Sequence, residues 1–284
     1  MIGIMSKEKM NYNYIIESPE NGGAFHSLTV QSKEAYDGCR NGGHKDGFGI
    51  YSMSFLGDAG GDMMKKEPEY EVLFKRGTPI YKDGGLSEKL KSISGNILIS
   101  HIRLASSGKG EIDDIHAHPF VDPEFYKIKG IKDTTGWDNS SRPFSSYVLA
   151  HNGTIYGMGN SFMTDSEALL LEITSTFKDK IDFDEFKDFL SKFVEKRDFT
   201  AINFLLKDPQ NDLYALRLAK AKKPGEYPVK QPRLAYYSLY YLKEDHKVIV
   251  ASEPIDSDRN WKCINNYSLL KIDKNLNVTM AEIP

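Results

Sequence analysis

Ser100-His101-Ile102-Arg103-Leu104-Ala105-Ser106-Ser107-Gly108, His116-Ala117-His118-Pro119-Phe120 and Ala150-His151-Asn152-Gly153-Thr154-Ile155 follow one another between Ile99 and Glu167, and Thr164-Asp165-Ser166-Glu167 closes the stretch. Asn96 to Arg103 reads as a strand whose apolar run, Ile97-Leu98-Ile99, suits a fully buried sheet position. Arg103 ends that strand and enters a loop of small residues. A guanidinium there serves either a structural ion pair or a bidentate grip on a carboxylate, which Arg makes better than Lys. His116 and His118, two apart on an extended segment, point to the same side. With His101 they make a permissible three-imidazole zinc set, or they are hydrogen-bonded loop histidines.

Asn152-Gly153 has two readings. It is a common hairpin-turn dipeptide. It also suits a site where an amide side chain and a backbone N–H meet the negative charge that develops on a carbonyl oxygen during amide hydrolysis, the glycine admitting close backbone approach. Thr164-x-x-Glu167 is a capping-box pattern that opens a helix, with Leu169, Ile173 and Phe177 on one face. Asp165 in its first turn is favourable through the helix dipole alone.

Outward from this stretch the pattern predicts strands at Met1–Met5, Ala24–Gln31, Gly47–Ser54, Tyr70–Lys75, Tyr147–Ala150, Thr200–Leu206, Leu213–Leu218, Leu234–Leu242 and Lys247–Ser252, with a terminal hairpin of Tyr267–Ile272 and Asn277–Glu282. Helices are predicted at Lys33–Cys39, Leu86–Leu90, from Thr164, and from Asp182-x-x-Glu185, where Phe186, Phe189, Leu190, Phe193 and Val194 repeat at helical spacing. Ser6–Asn13, Leu56–Met64 and Val121–Ser145 read as loops; the last is long enough to be a lid. Strands first, helices in the middle and strands again argue for an α+β fold, and without a linker or repeat the 284 residues read as one domain, 1–284.

Composition excludes several classes. The chain is 40% hydrophobic and 27% charged with a net charge of -3, so it is ordinary globular protein with no basic block for nucleic acid or an anionic membrane. No apolar run approaches a membrane span. Two cysteines, Cys39 and Cys263, give neither a disulfide framework nor a CxxC pair, which suits a reducing cytoplasm.

The four signals in this order resemble the glutaminase domain of the class II glutamine amidotransferases, which are N-terminal-nucleophile hydrolases. His44-Lys45-Asp46-Gly47-Phe48-Gly49 and Ala251-Ser252-Glu253-Pro254, with Trp261, resemble the stand-alone amidohydrolase branch similar to the ergothioneine-biosynthesis type. The resemblance covers nearly the whole chain and implies a four-layer αββα sandwich. It implies that Asn152 and Gly153 form the oxyanion hole, that Arg103 and Asp165 grip the α-carboxylate and α-ammonium of a glutamyl group, and that Ser106 and His118 line the pocket. Leu104-Ala105-Ser106 departs from the family's usual Ala-Thr here but keeps a hydroxyl. The Ser252-Glu253-Pro254 signature reads as structural. No metal or organic cofactor is implied. The substrate would be glutamine or a γ-glutamyl amide, and any ammonia-accepting synthase would be a separate chain.

The family's nucleophile is an N-terminal cysteine whose own amine is the base. Ile2 follows Met1 here, while Ile2-Gly3-Ile4 resembles the strand that follows that cysteine. Two readings follow: a start assigned too late, with the cysteine upstream, or a lineage that has lost it. The first is preferred because the substrate-reading residues are all present. The chain as given is expected to be inactive. Two rival readings stand beside it: a catalytically inactive glutamine-binding or interaction module, and a metal-dependent hydrolase built on His101, His116 and His118.

Overall fold

The structure, a computed structural model, describes residues 1–24, 26–33, 44–55, 68–86, 88–89, 93–104, 114–122, 146–160, 163–220, 236–257 and 260–284. Among these, thirteen strands run in chain order: β1 (Ile2–Asn11), β2 (Phe48–Phe55), β3 (Pro68–Arg76), β4 (Ser94–Ile102), β5 (Phe120–Val121), β6 (Val148–Ile155), β7 (Phe199–Lys207), β8 (Leu213–Arg217), β9 (Tyr240–Lys243), β10 (Lys247–Ala251), β11 (Lys262–Cys263), β12 (Ser268–Ile272) and β13 (Val278–Glu282). They form a seven-stranded sheet, β11-β9-β10-β1-β4-β2-β3, and a six-stranded sheet, β13-β12-β8-β7-β6-β5. Neighbours pair antiparallel, for example Ile2 with Ser100 across β1 and β4, and Asn152 with Asn203 across β6 and β7.

Side chains alternate across a strand, and three apolar clusters follow from that. Ile97 and Ile99 of β4 meet Val148, Ala150 and Leu205 of the second sheet in one core between the sheets. The residues between them face the other way: Leu98 and Ile102 into a cluster outside the first sheet, Leu149, Phe204 and Leu206 into one outside the second. Helices α1 (Asn13–Ile16) and α2 (Leu28–Lys33) place Ile15, Ile16 and Leu28 in the first of these outer clusters. Helices α3 (Asp165–Thr176) and α4 (Phe183–Glu195) place Leu169, Ile173, Phe186 and Leu190 in the second. A strand buried on both faces reads as a continuous apolar run, which is why β4 and β7 look as they do in the sequence.

The structure departs from several expectations. Ser6–Asn11 is not loop; it continues β1, its exposed Lys7, Glu8 and Lys9 carried past the buried first half. Within the predicted strand Ala24–Gln31, Leu28–Lys33 is helical. Its buried face is part polar: Thr29 donates to the Ile16 carbonyl at 2.5 Å and Ser32 to the His44 carbonyl at 2.6 Å, so no apolar period marks it. In the predicted strand Leu234–Leu242, Tyr236 is helical and β9 begins at Tyr240. The short strands β5 and β11 and the helix α1 carried no sequence signal. Residues 34–39, 56–64 and 123–145, expected as helix and loops, lie outside the described residues, while Leu86, Glu88 and Lys89 are helical as expected. The terminal hairpin is β12 paired with β13, as expected.

Candidate active site

The C-terminal end of β4 delivers Arg103. The residues that hold it come from the His44–Gly49 signature: the Arg103 N–H donates to the Gly47 carbonyl at 2.7 Å, and the Asp46 N–H donates to the Arg103 carbonyl at 3.0 Å. One residue earlier, His44 Nδ1 lies 3.3 Å from the Ile102 carbonyl. The same signature admits the histidine loop. A Cβ on Gly49 would lie 2.1 Å from the His118 carbonyl oxygen, so only glycine lets β2 pass that close. The loop is tied at its other side to the end of β3. The Gly77 N–H donates to Asp114 at 2.6 Å, and buried Lys75 donates to the Ile115 carbonyl at 2.6 Å with its ammonium 4.6 Å from the Phe120 ring centroid.

Asn152 and Gly153 sit inside β6, not in a hairpin turn. The pairing with β7 is irregular between Gly153 and Ile155, and Gly153 has φ 135. A Cβ on it would stand 2.0 Å from the Ala201 carbonyl oxygen, so the sequence needs glycine for the backbone here, whatever else it does. The strand is joined to α3 by a buried chain. Asp165 accepts from the Ile155 N–H at 2.9 Å through one carboxylate oxygen and from the Ser166 N–H at 2.8 Å through the other. The Ser166 hydroxyl lies 2.9 Å from His151 Nδ1 and 3.3 Å from Asp165. The His151 N–H in turn donates to His118 Nδ1 at 3.4 Å. Thr164 caps α3 as the sequence predicts: its hydroxyl accepts from the Glu167 N–H, and the Glu167 carboxylate accepts from the Thr164 N–H.

Arg103, His118, Asn152, Gly153 and Asp165 line one cleft of about 80 Å³, together with His101, Leu104, His116, His151, Thr164 and Ser166. Ser106, expected in the same wall, lies outside the described residues. Burial first, then neighbouring positive charge, pushes His101 and His118 well below the usual imidazole range; for His118 the neighbours include Lys75 and Arg103. Burial also lowers His151, against the opposing pull of Asp165. His101, His118 and His151 are thus held toward the neutral form, and among the described lining residues Arg103 and Asp165 are the side chains of opposite formal charge. One polar atom is unspent: His101 Nδ1 is buried without a hydrogen-bond partner.

A second cavity, of about 110 Å³, escaped the sequence reading. It shares His101 and Asn152 with the first and is completed by Met1, His26, Gln31, His44, Ile102, Tyr236, Ser252 and Glu253. The Ser252-Glu253 signature, expected to be structural, thus faces a cavity. The Met1 amine donates to Ser252 Oγ at 3.1 Å, and burial pushes it down to about 5. These residues come from distant parts of the chain at no characteristic spacing; His44 and Ser252-Glu253 stood in quoted patterns, while His26, Gln31 and Tyr236 carried no functional signal. Cys39 lies outside the described residues, and Cys263 is exposed on β11 and lines neither cavity. Among the described residues, no three His, Cys, Asp or Glu side chains are grouped to hold a metal ion, so His101, His116 and His118 do not make the zinc set their spacing allowed. No described helix is long and apolar enough to cross a membrane.

No family model and no curated protein matches the chain. It is similar to solved structures. One is described as a glutamine aminotransferase class-II domain protein from Silicibacter pomeroyi, at 17% identity over 84% of this chain and 92% of that one, with a TM-score of 0.46. Another is described as a predicted glutamine amidotransferase from Pseudomonas aeruginosa, at 15% identity over 98% of each chain, with a TM-score of 0.47.

Proposed function

We propose that this chain is a class II glutamine amidotransferase-like amidohydrolase, a glutaminase-type hydrolase acting on glutamine or a γ-glutamyl amide. One observation carries the reading: short signals far apart in the sequence converge on a single cleft whose described lining includes Arg103 and Asp165, side chains of opposite charge. A glutamyl group ends in a carboxylate and an ammonium, and Arg103 and Asp165 are the matching pair. In this reading Asn152 and Gly153 hold the oxyanion, His118 lines the pocket, and Ser106 belongs to the same wall. In this reading the two sheets and their outer helices correspond to the four-layer αββα sandwich of N-terminal-nucleophile hydrolases, in one domain.

The thiol is the component the described residues do not provide. Met1 lines the second cavity together with His101 and Asn152, so a cysteine encoded just upstream of it would enter the fold at the end of β1 that faces these residues. Cys263 lines neither cavity, and in this reading the chain as given binds glutamine without turnover, which is where the binding-module reading and this one coincide. Any ammonia-accepting synthase is a separate partner chain.

Isothermal titration with L-glutamine tests the binding half, and ammonia release tests the catalytic half. The expected results are saturable glutamine binding by the chain and ammonia release only from a form extended upstream to an exposed N-terminal cysteine. Absence of glutamine binding, or ammonia release by the chain that Cys263→Ser abolishes, would overturn the reading.

A further inference from the structure

Asp165 is the carboxylate that the glutamyl reading sets against a ligand's ammonium, and its lone pairs are limited. An ionised carboxylate has about four acceptor sites. Backbone donors take two of them: one oxygen accepts the Ile155 N–H at 2.9 Å and the other accepts the Ser166 N–H at 2.8 Å. The Ser166 hydroxyl lies 3.3 Å from that second oxygen. It has one proton to give. If the proton goes to Asp165, a third site is spent and less of the carboxylate is left for a ligand.

A second acceptor competes for the same proton. Ser166 Oγ is 2.9 Å from His151 Nδ1, and both residues are 2% exposed, so bulk water takes little part. The tautomer of His151 decides the contest. Its Nε2 lies 3.4 Å from the Ala201 carbonyl oxygen. A carbonyl only accepts, so the ring proton belongs on Nε2 and Nδ1 is left bare. The other tautomer would set two lone pairs against each other at Nε2. Burial favours the neutral ring, against the opposing pull of Asp165. Nδ1 therefore takes the hydroxyl proton at the shorter distance, and the Asp165 oxygen keeps its lone pair. The carbonyl that fixes the tautomer is the one a Cβ on Gly153 would strike at 2.0 Å, so the glycine that shapes β6 also lets Ala201 come up to the imidazole.

We infer that His151 is a positioning residue for Asp165: by holding the Ser166 proton it keeps a carboxylate lone pair open for a ligand's ammonium, and so sets the preference for ligands that carry an α-amine. This rests on the glutamyl reading of the first cavity and names the residue behind its amine selectivity. His151 acts through Ser166 and Asp165, not by touching the ligand.

Titration calorimetry with L-glutamine and with glutaramate, the same amide acid without the α-amine, tests it. The ratio of the two affinities is the readout, because loss of the shared carboxylate and amide contacts weakens both ligands alike. The unaltered chain is expected to favour glutamine by about tenfold or more. His151→Leu leaves the Ser166 hydroxyl with Asp165 as its acceptor and should cut that preference by about threefold or more. Adding Ser166→Ala to His151→Leu removes the competing proton and should return the preference, a coupling that a purely structural role of His151 would not produce. His151→Asn, with an amide oxygen in place of the Nδ1 acceptor, should keep it. Nitrogen-15 spectra of histidine-labelled unaltered chain should show His151 as the Nε2–H tautomer, and this decides even if His151→Leu fails to fold. An Nδ1–H tautomer, a preference unmoved in His151→Leu, or a double variant that does not recover overturns the positioning role while the glutamyl reading stands. Equal affinity for the two ligands in the unaltered chain, or binding of neither, overturns Asp165 as the ammonium reader and this inference with it.

Discussion

Asp165, the first residue of α3, accepts the backbone N–H of Ile155 at 2.9 Å, so the helix that would read the substrate's ammonium is fastened to the strand that carries Asn152. The carboxylate has two tasks, and they can be separated. Asp165→Asn keeps an oxygen for the Ile155 N–H but loses the charge. It is expected to fold with a melting temperature close to that of the parent and to lose at least tenfold in glutamine affinity. Asp165→Ala loses both and should also melt earlier, because a buried N–H left unpaired costs about 1–3 kcal/mol. Equal glutamine affinity in Asp165→Asn and the parent would remove this residue from the binding site.

Arg103 is held by its backbone between Gly47 and Asp46, so its side chain can be cut back without releasing the strand end. Arg103→Ala should retain the fold, measured by circular dichroism, and weaken glutamine by about 2–5 kcal/mol, the usual cost of deleting one partner of a buried charged pair. Arg103→Lys should recover only part of this, since one ammonium cannot replace a two-pronged guanidinium. Full recovery with Lys would mean that Arg103 supplies charge alone.

Gly153 and Gly157 both have positive φ, but only at Gly153 would a Cβ strike backbone, 2.0 Å from the Ala201 oxygen; nothing lies within 4 Å at Gly157. Gly153→Ala is therefore expected to destabilise the fold by roughly 3 kcal/mol or more and Gly157→Ala by about 1 kcal/mol. Chemical denaturation of the pair checks this, and similar midpoints would contradict the geometry. If Asn152 holds the oxyanion as proposed, then in a form extended to the upstream cysteine Asn152→Ala should lower kcat by about 10²–10³ with glutamine binding retained.

The buried histidines make stability depend on pH. An imidazole whose folded pKa lies below its unfolded value binds fewer protons when folded, so its contribution is fully present above about 6.5 and is lost as pH falls toward the folded value. His44 is pushed down to about 4 by burial, and His101, His118 and His151 shift the same way. Asp208, raised to about 6, and Asp122, also raised, act in the opposite sense over the acid part of that range. Four lowered imidazoles against two raised carboxyls predict a melting temperature that falls from pH 6.5 toward pH 4, with a shallower fall in His44→Gln. A melting temperature flat across that window would contradict the burial of these rings.

Local chemistry explains which parts could be read in advance. The start of α3 was legible because a capping box is a local pairing of Thr164 and Glu167, and the strands β4 and β7 because both of their faces are apolar. The helix Leu28–Lys33 was not, since its buried Thr29 and Ser32 are satisfied by carbonyls that only the fold brings near. In the first cleft, Arg103, Asn152, Gly153 and Asp165 each stand in a short pattern, so the residues were visible while their convergence was not. The second cavity is assembled from Met1, His44, Tyr236 and Glu253, which share no spacing at all.

His101 belongs to β4 in one sheet and Asn152 to β6 in the other, and both cavities are bounded by this same pair. The gap between the sheets therefore works like the jaws of a caliper: one setting fixes the width of both spaces. Ile99, Ala150 and Leu205 in the intersheet core set that opening. Trimming Leu205 to Ala, a residue that lines neither cavity, should alter the affinity for glutamine, so that ligand fit is written partly in the thickness of the protein's interior.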